Sequence, residues 1–152
     1  MQEVAVKLKF ITPCLGHVRR QDYDRFERDG DDAVIFMSSW WREVLKYGSQ
    51  AFGKHQKLVH DVHMHAKIIG EVKRYRRYFG ENRYKEHEAF LKGDSIFVKA
   101  MLPTGLPPAD FEEILRLAGS YRGMSPYGWK DGYGQFEVIG VEPVTRRRTE
   151  QC

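Results

Sequence analysis

The spacing of apolar residues in this chain switches from two to between three and four and back again, and that alternation dictates a mixed α+β fold. Val4, Val6, Leu8 and Phe10 recur at every second position with Lys7 and Lys9 between them, which predicts a strand with one buried and one basic face. Thr12-Pro13 ends it, because proline restricts its predecessor and donates no ladder bond. Residues 16–32 are charge-dense and read as a long solvated loop. Beyond Ser38 and Ser39, both good N-cap residues, Trp40, Trp41, Val44, Leu45 and Gly48 fall at helical spacing, and Gly53 fits the exit. That spacing makes the two tryptophans core residues rather than a ligand platform.

Alternation then returns. Val62, Met64, Ala66 and Ile68 point one way and Asp61, His63, His65 and Lys67 the other, predicting a long strand that runs on through residues 73–79. Gly80-Glu81-Asn82 turns it into a projecting hairpin, whose return limb starts near Tyr84 and continues after Gly93 into a strand with Ile96, Val98 and Ala100 inside. Ser95, Phe97 and Lys99 take the opposite face. Pro107 and Pro108 open a second helix with a stripe of Phe111, Ile114, Leu115 and Ala118. A glycine-rich loop with Gly123, Gly128, Gly132 and Gly134 leads to a last strand, Gln135 to Val141. The predicted fold is ferredoxin-like, βαββαβ: a four-stranded antiparallel sheet, two helices on one face, and a long basic hairpin between the second and third strands. One domain is expected over residues 1–144, with a mobile basic tail over 145–152.

Composition narrows the setting. The 152 residues carry 25 Lys+Arg against 21 Asp+Glu, a net charge of +4, which favours polyanionic partners. No apolar run approaches the roughly 20 residues a membrane span needs, and the first residues do not form a signal-peptide core. Two cysteines, Cys14 and Cys152, make no disulfide framework, so the expected location is cytoplasmic.

Function is expected on the sheet face left bare by the helices. It should display Lys7, Lys9, His63, His65, Lys67, Phe97 and Lys99: cations for phosphates around an aromatic ring that can stack a base. The bland reading is a solvated face or one covered by a self-association partner. The hairpin adds Lys73, Arg74, Arg76, Arg77, Arg83 and Lys85 with Tyr75, Tyr78 and Tyr84, a positive field that counterion release from nucleic acid would reward. Its bland reading is a charged hairpin kept soluble. His60, His63 and His65 stand close together, but with no cysteine nearby and Asp61 as the one close carboxylate they fall short of the three or four ligands zinc takes, so no metal and no cofactor is expected. Acid–base cleavage of RNA without a metal remains open through His17, His63 or His65. The loop of residues 119–134 fits neither a P-loop nor a dinucleotide fingerprint.

Three stretches resemble the RAMP superfamily of CRISPR-associated proteins. They are residues 8–16 with their Thr-Pro turn, Ser38-Ser39 leading into a helix, and Gly119-Ser120-Tyr121-Arg122-Gly123 through Gly132-Tyr133-Gly134-Gln135-Phe136. The resemblance implies an RRM-like RNA-binding fold, with RNA contact by Gly132, Gly134 and their neighbours Trp129, Lys130 and Tyr133. It assigns no catalytic residue. The loop carries only Arg122 and Lys130 as cations and fewer adjacent glycines than the family pattern. The expectation is a non-catalytic module for single-stranded RNA in antiviral defence, compatible with a phage or mobile-element origin and with a protein assembly or homo-oligomer. A metal-independent endoribonuclease and a protein-interaction or inhibitor subunit are the alternatives.

Overall fold

Strand β1 (Gln2–Phe10) buries Val4, Val6, Leu8 and Phe10 completely and turns Ala5 and Lys9 outward, as its alternation requires. The computed structural model describes residues 1–19, 23–65, 67–124 and 129–144. After β1 come five two-residue strands, β2 (Cys14–Leu15), β3 (Val18–Arg19), β4 (Asp24–Arg25), β5 (Glu27–Arg28) and β6 (Val34–Ile35), followed by helix α1 (Ser38–Phe52). The remaining elements are β7 (His63–Met64), β8 (Lys73–Gly80), β9 (Arg83–Phe90), β10 (Ser95–Leu102), helix α2 (Pro108–Tyr121) and β11 (Phe136–Pro143).

The fold is mixed α+β, with two helices and several largely antiparallel sheets. One sheet has the strand order β11-β1-β10-β7, antiparallel throughout. Its inward side chains, among them Leu8, Ile96, Val98 and Phe136, share one core with Trp41, Val44 and Leu45 of α1 and Phe111, Ile114 and Leu115 of α2. Both helices therefore cover the same face. Close packing requires glycine here: a Cβ on Gly48 would lie 2.2 Å from the Ile114 carbonyl oxygen of α2, and one on Gly119 of α2 would lie 2.2 Å from that of Phe136 on β11. Helix α1 ends at Gly53 in the left-handed region, φ 82°, as expected. It begins at Ser38 with Met37 at the cap and no side-chain cap bond, so neither serine serves as N-cap.

The arrangement departs from a lone four-stranded sheet. A second, five-stranded sheet is built around β9, which pairs with β8 on one edge and with β2 and β4 on the other. The hairpin β8–β9 belongs to this sheet and does not extend the first. The expected continuous strand from residue 62 to 79 is broken: β7 pairs with Met101 and Ala100, and the chain then leaves the ladder to bridge Lys67 to Ile35. It returns only at Ile69 opposite Phe97. The return limb is also interrupted, because Leu91 donates its N–H to the Asp94 carboxylate at 2.7 Å and the chain crosses there from one sheet to the other.

The described part of the 16–32 stretch, residues 16–19 and 23–32, is not plain solvated loop. Asp24 is 5 % exposed and Phe26 2 %, the latter packed against Phe36, Trp40 and Phe90. The N–H of Phe26 and the Arg28 guanidinium both donate to the buried Glu88 carboxylate, at 3.0 and 2.5 Å. Distant partners on β9 and around the start of α1 supply the burial, so the charged composition of this stretch concealed it. The tail over residues 145–152, Ala66 and Gly128 lie outside the described residues. No helix among the described residues is long and apolar enough to cross a membrane.

Candidate nucleic-acid interface

The sheet face away from the helices carries a groove of about 620 Å³ whose floor includes Ala5, Ile69, Phe97 and Ile139 and whose rim includes Lys7, Lys67, Lys99 and His65. Pairing of β1 with β10 puts Lys7 opposite Phe97, and the Lys7 ammonium stands 5.4 Å from the ring centroid. Phe97 is 46 % exposed although it lies on an interior strand of the sheet. Lys67 faces Asp31 at 3.7 Å, and the His65 imidazole faces Glu3 at 3.4 Å. Among the described residues, Lys7, Lys9 and Lys99 form no ion pair.

Two of the expected members lie beyond this groove. Lys9 sits across the ladders from Ser95 and Glu137, and His63 lines a separate depression with Trp41, Leu45 and Val59. The face is also less uniformly basic than the lysine pattern predicts. Glu142 stands opposite Ala5 and lines the groove, and Glu137 stands opposite Lys9. The register shift between Lys7 and Leu8 against β11 brings Ile139 and Gly140 into the floor.

The other expected residues gather on the second sheet. Arg74 and Arg76 both pair with Glu86 and lie over the rings of Tyr23 and Tyr84, at 4.0 and 4.5 Å. Tyr78 and Phe79 stand well exposed at the hairpin tip. From the glycine loop, Tyr133 meets Tyr75 edge-on, and burial followed by the neighbouring Tyr75 pushes its phenol up to about 12. The Arg122 guanidinium and the Lys130 ammonium both lie over the Trp129 ring, at 5.0 and 5.8 Å. Gly132 donates its N–H to Trp129 and Gly134 to Pro13, while the Thr12 hydroxyl donates to the Gly132 carbonyl at 2.6 Å. Both glycine amides are thus engaged within the protein, and the loop is tied to the Thr-Pro turn.

Arg77, one residue on from Arg76 along β8, turns to the opposite side and meets a cluster that sequence reading missed. His17, Asp24 and His87 bring their donor atoms within 4.8 Å of one another. His87 is fully buried, and its Nδ1 lies 2.7 Å from the Gly16 carbonyl oxygen, so that nitrogen carries the proton. The Nε2 lone pair accepts from Arg77 Nε at 3.3 Å, and Lys85 Nζ reaches Asp24 at 3.1 Å. Desolvation, with the second imidazole and the cations Arg77 and Lys85 adding to it, holds His17 down at about 4. His87 is lowered too, mainly by burial. A divalent cation fits this donor set poorly, because Arg77 and Lys85 already occupy the ring lone pair and the carboxylate. Of the three histidines proposed as acid or base, only His17 reaches this cluster. Its partner His87 had no local signal beyond its place in a strand.

No family model matches the chain, and no curated protein matches it. Solved structures do. The chain superposes on a chain of a type III-B Cmr-beta complex bound to cognate target RNA with a TM-score of 0.64 and 12 % identity, covering 95 % of this chain and 61 % of that one. It superposes on a chain of a type IV-B CRISPR complex with a TM-score of 0.57 and 12 % identity, covering 95 % and 92 %. Both neighbours are chains of CRISPR complexes, and at this identity the likeness shows a shared fold. This chain spans about three fifths of the Cmr-beta chain.

Proposed function

We propose that this chain is an RNA-binding subunit of a CRISPR-type ribonucleoprotein assembly, a RAMP-like protein of ferredoxin-like type. The order β11-β1-β10-β7 supports that fold name, with β8–β9 as an insertion between its second and third core strands. One observation carries the functional reading: Phe97 is half exposed at the floor of a groove on the helix-free sheet face, with Lys7 beside it and Lys99 and Lys67 at the rim. An aromatic platform inside a ring of cations is the arrangement that holds single strands, by stacking a base and neutralising the flanking phosphates. The apolar floor of Ile69 and Ile139 suits base faces and ribose better than bulk water.

In this reading Lys7, Lys67 and Lys99 take phosphates, Phe97 stacks, His65 sits at the rim and Lys9 extends the path along β1, while His63, in its own depression beside α1, is left out of it. Arg74, Arg76 and the aromatic hairpin tip offer a second contact for RNA or for a neighbouring subunit, and Tyr133, set against Tyr75 on the other face of the hairpin, offers a further one with its loop neighbours Trp129 and Lys130. Gly132 and Gly134 act by holding that loop against Thr12 and Pro13.

Fluorescence anisotropy with a labelled single-stranded RNA tests this. Phe97→Ala should weaken binding by about 1–3 kcal/mol, the worth of one stacked base, while leaving the fold intact. Unchanged affinity in that variant, together with binding indifferent to salt, refutes the reading.

Cleavage is the weaker reading. His17 and His87 are both held neutral near pH 7, which offers a base without a matching acid. Incubation of wild type and His17→Gln with structured RNA in EDTA separates the two, since hydrolysis lost in the variant would establish an enzyme.

A further inference from the structure

A cavity of about 300 Å³ opens beside the second sheet, away from the groove that holds Phe97, and is lined by His17, Arg19, Asp24, Arg77, Lys85, His87 and Asp131. Its chemistry is unusual for a structural cluster. Arg77 donates to a neutral imidazole, a weak partner for a guanidinium, and among the described residues neither Arg77 nor Arg19 has a carboxylate within ion-pair distance. Asp24 is answered by Lys85 at 3.1 Å. With three permanent cations against Asp24 and Asp131, the cavity carries one net positive charge, and neutral His87 fixes the direction of Arg77 through the hydrogen bond at 3.3 Å.

We infer that this cavity is an oxyanion site that takes one phosphate group, held by Arg77, Lys85 and Arg19 with the His17 imidazole beside it. A single phosphodiester balances the net charge, and planar guanidinium groups match the paired oxygens of a phosphate. The volume admits a phosphate together with part of its sugar or ordered water. A metal ion would instead meet Arg77 and Lys85 as repulsive neighbours, so the same residues discriminate against it. Segments far apart in sequence build the site on neighbouring strands: β3 and β4 bring Arg19 and Asp24, the hairpin brings Arg77, Lys85 and His87, and Asp24 pairs directly with His87. The site stands apart from the sheet-face reading, because inorganic phosphate can test it with no RNA present.

The test is an NMR titration of the histidine side chains in the intact chain, with inorganic phosphate in one arm, a short single-stranded oligoribonucleotide in the second and zinc ion alone in the third. Phosphate should shift His17 and His87 saturably while leaving His63 and His65 in place, and its affinity should fall about tenfold or more in Arg77→Gln. Arg19→Gln, on an exposed side chain, should weaken it while leaving the Arg77–His87 hydrogen bond in place. If the oligonucleotide moves the same signals, the phosphate comes from a nucleic-acid chain; if only inorganic phosphate does, it is a free anion, and the oxyanion site stands in both cases. Signals unmoved by phosphate, shifts that persist at full strength in Arg77→Gln, or a response to zinc alone would overturn it.

Discussion

Lowering the pH should destabilise this protein well before its carboxylates are protonated, and His17 sets the size of the effect. The folded chain holds this imidazole at about 4 against an ordinary value of 6.5. In the interval between those values the unfolded chain binds a proton that the folded chain does not, so stability rises with pH there. The contribution is complete above about pH 6.5, is lost progressively as pH falls toward 4, and changes no further below that. At about 1.36 kcal/mol per pH unit the gap amounts to about 3 kcal/mol, and water screening of the half-buried ring reduces it to about 2 kcal/mol. His87 is displaced in the same direction and adds to the slope. Urea melts between about pH 7.5 and 4.5 give the wild-type curve, and His17→Gln removes the His17 share and flattens it. Parallel pH profiles for the two proteins, or an NMR titration that places His17 near 6.5, would refute the argument that burial and the adjoining cations keep the ring neutral.

Replacing Lys7 and Lys99 by glutamine should lower the slope of log K against log salt by about 0.7 for each lysine, measured by anisotropy on single-stranded RNA; an unchanged slope removes them from the phosphate path. Glu88→Ala leaves the Phe26 N–H and the Arg28 guanidinium without their acceptor and should cost about 2–4 kcal/mol in chemical denaturation. A loss below about 1 kcal/mol would mean that the segment over residues 24–28 is held by its aromatic packing alone. Gly48→Ala forces a methyl against the Ile114 carbonyl and should cost about 1–3 kcal/mol, with Gly119→Ala behaving alike at Phe136 of β11; a neutral result would show that α1 and α2, or α2 and the sheet, can move apart freely.

What was legible in the sequence was whatever local periodicity carries. Alternation in residues 4–10 and 95–100 placed Phe97 and the lysines on one face, and helical spacing found both helices that cover the other. Partnership was not legible. Nothing in the run from Val62 to Phe79 says that Lys67 bridges to Ile35, so one long strand was expected where the chain breaks off to another partner. Burial in residues 24–28 comes from Phe36, Trp40, Glu88 and Phe90, and charged side chains give no hint of it. Gly16 and His87 touch across 71 residues, a distance over which no pattern of one or two turns can speak. The acidic residues of β11 were visible as letters, but assigning Glu142 to the groove required the register of that strand against β1.

The pairing of β9 has a consequence for how the chain assembles. Its turn with β8 can close among near neighbours, whereas β2 and β4 must arrive from more than sixty residues upstream. Closing so large a loop is entropically costly until several contacts form together. The anion cavity, which straddles that late junction, should therefore be among the last regions to gain protection during refolding, and a bound phosphate would fasten the seam from within.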